Sequence, residues 1–107
     1  MDDFTVNWTP TAERDLVAIL EFMAEDEPDE ALRVLAKIRA KAASLSLLPE
    51  RGRIVPELKE QGVALYRELI LAPWRILYRV SDRTVYVLAV LDARRNVEDI
   101  LFDRFIG

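Results

Sequence analysis

The 107-residue chain contains no cysteine and no histidine. The first absence excludes a disulfide framework, a thiolate zinc site and a thiol nucleophile. The second removes the usual general base and the commonest metal ligand together. No uninterrupted apolar run approaches the roughly 20 residues that a membrane-spanning helix needs. The opening MDDFTVNW is acidic, unlike the basic and then apolar start of a signal peptide. The expectation is a cytoplasmic protein without cofactor, bound metal or membrane partner. At this length one domain with a modest core is expected.

What the chain does have is an uneven charge. Residues 66–95 hold six arginines (67, 75, 79, 83, 94 and 95) against Glu68, Asp82 and Asp92, a balance of +3. The whole chain carries −4, so the remainder carries −7. An acidic body with an arginine-rich segment argues against nucleic-acid binding by the surface at large, and permits a local anionic contact.

That segment reads as three strands. Tyr66–Leu71 runs into Ala72-Pro73, Trp74–Val80 into Ser81-Asp82-Arg83, and Thr84–Leu91 follows. Connections this short join antiparallel neighbours. In the middle strand Trp74, Ile76, Tyr78 and Val80 alternate with Arg75, Leu77 and Arg79. The last strand is apolar on both sides, with Val85, Val87, Ala89 and Leu91 against Tyr86, Leu88 and Val90. It calls for cover on both faces, or for one face kept for a partner.

Before these strands, Phe4, Val6 and Trp8 alternate as a first strand. Thr9 is a cap and Pro10 suits the first helical position. Ala12, Leu16, Ile19, Leu20 and Met23 then form one helical stripe. A second helix is expected over Pro28 to Leu48, with Ala31, Leu35, Ile38, Ala42 and Leu45 on its apolar face. Asp29 stands four before Arg33, a pairing worth about 0.2–0.5 kcal/mol. Residues 48–58 read as a loop from their proline and glycine content. Asn96 caps a last helix to Ile106, with Val97, Ile100, Leu101 and Phe105 on one face. The expected fold is α+β, in the order β-α-α-β-β-β-α, with a helical hairpin packed on a mainly antiparallel four-stranded sheet.

This order and certain stretches resemble the RelE/ParE toxin superfamily of type II toxin–antitoxin systems, closer to ParE. The stretches are VNWTPTAERDL at 6–16, LPERGRIVPEL at 48–58, YRELI at 66–70, WRILYRV at 74–80 and VYVLAVLDARRN at 85–96. The resemblance implies growth inhibition, a role in plasmid stabilisation, and a cognate antitoxin, ParD-like or other, that wraps and silences the toxin. RelE-like members cut messenger RNA on the ribosome, which requires phosphate-holding cations and groups that move protons. Their sites are lysine- and arginine-rich, often with a tyrosine or histidine near the C-terminus. Here the last helix, NVEDILFDRFIG, contains neither of these, nor any lysine. ParE-like members are described instead as inhibitors of DNA gyrase, an activity of binding that needs no catalytic residue and no sequence-specific nucleic-acid contact by the toxin alone. The expected function is therefore ParE-like gyrase inhibition. Ribosome-dependent cleavage, or a non-toxic module that binds antitoxin, are the alternatives.

Arg75, Arg79, Arg94 and Arg95 are the candidate target contacts. For Arg75 and Arg79 the competing reading is an ion pair to Glu68 or to an acidic helix face. Leu16, Leu20, Met23, Leu35 and Ile38 are the candidate antitoxin contacts on the hairpin. No catalytic and no metal-binding residue is assigned.

Overall fold

The computed structural model describes residues 3–106. Strand β1 (Thr5–Trp8) leads through Thr9 into helix α1 (Pro10–Ala24). Thr9 serves both elements. Its hydroxyl accepts from the Ala12 N–H at 3.2 Å and donates to the Val87 carbonyl at 3.0 Å. Helix α2 (Pro28–Ala43) returns antiparallel after an acidic turn, again with proline in its first turn. It ends five residues earlier than expected, giving way to a 3₁₀ turn at Ser44–Ser46 that buries Leu45. Arg39 of α2 donates to both carboxylate oxygens of Glu13 at 2.8 Å and stacks 4.4 Å above the Trp8 ring. The expected Asp29–Arg33 pairing is replaced by an i,i+3 pair in which Arg33 donates to Glu30 at 2.9 Å.

Among the described residues the sheet has five strands, not four, in the order β1-β5-β4-β3-β2. The extra strand, β2 (Arg53–Ile54), lies within the segment expected to be a loop, and the single-turn helix α3 (Pro56–Lys59) follows it. Then come β3 (Arg67–Leu71), β4 (Trp74–Ser81) and β5 (Thr84–Asp92). All these pairs are antiparallel except β1 with β5, which are parallel; the helical hairpin carries the chain from β1 across to β2 at the opposite edge, and the antiparallel strands β2, β3 and β4 bring it back to β5 beside β1. The helix α4 (Val97–Phe105) closes the fold, and the Asn96 side chain caps it by accepting from the Asp99 N–H.

Both faces of the sheet are covered. On one, Leu16 of α1 and Val34, Ile38 and Ala42 of α2 pack against Leu69, Ile76, Tyr78 and Val87. On the other, Leu58 of α3 and Val97 and Leu101 of α4 pack against Leu77, Ala89 and Leu91. The β4 alternation runs as its sequence reads. That of β5 does not. Leu77 faces Ala89 but Tyr78 faces Val87, so Leu88 is an extra residue, a bulge that reverses which side chains point to the helical hairpin. Val85 and Val87 point there before it, and Val90 after it, while Ala89 and Leu91 join the opposite core.

Strand β1 pairs only with Thr84–Val87, leaving the rest of the β5 edge free. There the Val90 N–H donates to the Asp15 carboxylate at 3.1 Å, and Arg104 of α4 donates to both oxygens of Asp15 at 2.7 and 2.9 Å. The ion pair ties α1 to α4 and occupies a backbone donor that would otherwise invite strand pairing. Among the described residues no helix is long and apolar enough to cross a membrane.

Candidate interaction site

The four candidate arginines do not form one cluster. Arg75 is 6% exposed, and its Nε donates to Glu68, itself 1% exposed, at 2.5 Å. Its two terminal nitrogens each donate to Glu57 of α3 at 2.8 Å. Arg53 adds a bond to the other Glu68 oxygen at 2.7 Å. The hydrogen bonds to Glu57 and then to Glu68 hold the Arg75 pKa above its ordinary value despite burial. The same contact with Arg75 lowers the pKa of Glu57. Arg75 is thus corrected from a target contact to the centre of an ion network fastening α3 to the sheet. Sequence spacing shows which face an arginine takes, but not that a carboxylate from a supposed loop will cover it.

Arg79 is half-buried on the same face, directly across from Tyr86, which is 37% exposed. Its Nε is buried without a hydrogen-bond partner. No carboxylate pairs with it among the described residues. Arg94 and Arg95 lie beyond the far end of β5, near Asp92, which pairs with Trp74. Six residue steps along the strand separate Tyr86 from Asp92, roughly 20 Å. Arg94 is exposed and donates twice to Asp92, at 2.9 and 2.8 Å. This bonding raises the pKa of Arg94 and lowers that of Asp92. Arg95 is exposed and its guanidinium makes no hydrogen bond or close ion pair among the described residues, though its charge adds to that of Arg94 in lowering the Asp92 pKa.

Arg94 and Arg95 border a groove of about 370 Å³ between α1 and the end of the sheet, whose apolar walls are Ala18, Ile19, Phe22, Met23 and Trp74. Phe22 is 78% exposed. It falls off the apolar stripe read from sequence, and that position was the signal: a large aromatic on a wet helix face has no core to fill. A second groove, of about 360 Å³, lies between the helices, with Leu20, Ala24, Ala31, Leu32 and Leu35 in its walls. Of the candidate antitoxin contacts, Leu16 and Ile38 are buried in the core and offer nothing to a partner. Leu20 and Leu35 reach the inter-helix groove and Met23 the other. Periodicity marks an apolar stripe without saying whether core or partner receives it.

The tyrosines are held by packing. Tyr78 is buried, which pushes its pKa up, and its hydroxyl accepts the Gly52 N–H at 3.0 Å. Tyr66 lies against Phe105, with ring centroids 4.8 Å apart. No group of carboxylates able to hold a metal ion occurs among the described residues.

The α+β fold thus carries two apolar grooves on its helical side, one of them edged by guanidinium groups. Residues 6–97 match the family model described as the ParE toxin of the type II toxin–antitoxin system parDE. Over 91 residues the chain is 34% identical to Toxin RelE2 of Caulobacter vibrioides, covering 84% of this chain and 96% of that protein. It also resembles the solved RelBE2 toxin–antitoxin complex of Mycobacterium tuberculosis, with a TM-score of 0.61 and 30% identity over 86% of this chain and 93% of that one. The chromosomal ParDE system of P. aeruginosa shares the fold, with a TM-score of 0.70 at 24% identity over 83% and 95% of the two chains. The chain belongs to the ParE family, within the ParE/RelE superfamily of type II toxins.

Proposed function

We propose that this toxin disables DNA gyrase by binding to it, and that a cognate antitoxin holds it silent. The observation that carries the reading is the groove beside Arg94 and Arg95. Exposed aromatic and arginine side chains around an apolar hollow are the composition of interface hot spots. A guanidinium is a poor proton-transfer group and a good bidentate donor, so arginines there suit anchoring rather than catalysis. The antitoxin takes the inter-helix groove through Leu20, Leu32 and Leu35, laying an amphipathic segment into it. The test is a supercoiling assay with relaxed plasmid, gyrase, ATP and increasing antitoxin-free toxin. Loss of supercoiled product, restored by antitoxin, supports the reading. Full supercoiling in the presence of folded toxin opposes it.

A second reading has its own observation. Arg79 and Tyr86 lie side by side on β4 and β5, Arg79 half-buried and Tyr86 partly exposed, a cation and a phenol of the kinds that hold phosphate and move protons. This favours messenger RNA cleavage on the ribosome. Primer extension on translated message would show discrete cuts, lost in both Arg79→Ala and Tyr86→Phe. A toxin that neither cuts nor inhibits, and leaves growth unimpaired when overproduced in folded form, is the non-toxic antitoxin-binding module.

A further inference from the structure

Helix α1 has two faces. Ala12, Leu16, Ile19, Leu20 and Met23 go to the core shared with the sheet. On the far side Arg14, Val17, Ala18 and Glu21 follow one another at the i, i+3, i+4, i+7 spacing of a single stripe, and all four are exposed. With Glu13 they line a shallow hollow of about 390 Å³. Val17 is 49% exposed there. The charges of the stripe are laid out symmetrically, because Arg14 and Glu21 stand equally far from the midpoint between Val17 and Ala18. Two helical turns, about 10 Å, keep them from pairing within the helix. Arg14 donates only to the Thr11 hydroxyl, at 3.2 Å, and Glu21 has no ion pair among the described residues. The charges flanking the stripe are already paired, Glu13 with Arg39 and Asp15 with Arg104.

We infer that this stripe is the interface of a dimer of the chain, in which two copies of α1 pack antiparallel about a two-fold axis at that midpoint. The rotation sets Arg14 of each copy on Glu21 of the other. Val17 of each lies against Ala18 of the other, whose short side chain lets the helices approach. The two helix dipoles run in opposite directions, the favourable arrangement. A parallel pairing would set Arg14 against Arg14. A purely acidic or purely basic partner would satisfy one of the two charges and repel the other, whereas a second copy satisfies both. The face is that of one 15-residue helix. Such a contact falls in the weak class below about 1,200 Å², so the dissociation constant is expected on the order of 100 μM. The inference stands apart from the choice of target.

The test is sedimentation equilibrium of the purified, antitoxin-free chain, loaded from about 5 to about 500 μM. The mass should rise from that of one chain toward that of two. Arg14 and Glu21 are both exposed, so Arg14→Glu and Glu21→Arg are expected to fold, with circular dichroism as the check. Each should weaken self-association about tenfold or more, because each turns two attractions into two repulsions. The double variant, Arg14→Glu with Glu21→Arg, restores both pairs with their signs exchanged and should dimerise about as well as wild type. The two single variants, mixed, should associate with each other although neither does so alone. Leu47→Asp, an exposed apolar position outside α1, should change nothing. A wild-type chain that stays monomeric at every loading overturns the inference. So does a dimer indifferent to both charge reversals, which places the interface elsewhere. A monomeric wild type whose binding to the antitoxin of the adjoining gene falls in Arg14→Glu gives the stripe to that partner, and overturns it as well.

Discussion

Replacing Arg75 with methionine strips the buried Glu68 carboxylate of its main counter-ion. Three hydrogen bonds disappear, one to Glu68 and two to Glu57. The Glu68 side chain is wholly buried, and only Arg53 remains to it, more than half exposed. Breaking a buried ion pair from one side costs about 3–5 kcal/mol, and the surviving Arg53 bond sets the expectation near the lower end, about 3 kcal/mol. With a urea slope of about 1.5 kcal/mol per molar, the unfolding midpoint should fall by about 2 M at unchanged slope. Arg75→Met combined with Glu68→Leu should recover most of that, because no orphaned charge is left inside. Urea unfolding followed by tryptophan fluorescence reads all three proteins. A single-variant cost below about 1 kcal/mol, or a double variant less stable than the single, would refute the view that Arg75 is a structural anchor. Loss of toxicity in an Arg75 variant should likewise track loss of fold.

The same network has a pH dependence. The pKa of Glu57 is lowered by the Arg75 hydrogen bond, so as acid is added the unfolded chain takes up that proton first. Its stabilising contribution is complete above the unfolded value of about 4.3 and is lost as pH falls through the lower folded value. Stability curves from pH 6 to pH 3 should fall less steeply for Glu57→Gln than for wild type. Gly52→Ala should cost about 2 kcal/mol in the same urea assay, since a Cβ there would lie 2.5 Å from the Glu68 carbonyl oxygen and 2.7 Å from the Tyr78 hydroxyl. Leu16→Ala should cost about 3 kcal/mol by opening the core, whereas Phe22→Ala should stay within about 0.5 kcal/mol in the absence of a partner.

Where the sequence was legible, one side-chain period held over several residues. The β4 alternation, the Thr9-Pro10 helix start and the Asn96 cap each declare themselves locally. The β5 bulge is hidden because every residue from Val85 to Leu91 is apolar apart from Tyr86, and an extra apolar residue in such a run leaves no gap in the pattern. The two-residue β2 is too short to show a period at all. Arg75 misleads for a related reason. Its burial depends on Glu57, and the turn of helix that carries Glu57 begins at a proline, the residue type that made the segment read as loop. Leu16 and Ile38 lie on the same stripes as Leu20, Met23 and Leu35. Only the packing of the hairpin on the sheet separates core from surface among them. The off-stripe residues Phe22 and Leu32 were the better markers of an outward face.

The reading that this toxin inhibits by binding is tested most directly by gyrase supercoiling with two proteins side by side, wild type and Arg95→Ala. Arg95 is exposed and makes no side-chain hydrogen bond or close ion pair among the described residues, so its removal should leave the unfolding midpoint nearly unchanged. Wild type should abolish supercoiling as it is titrated, and Arg95→Ala should require about tenfold more protein for the same effect. Undiminished supercoiling with folded wild-type toxin, or equal potency of the two proteins, would contradict the account.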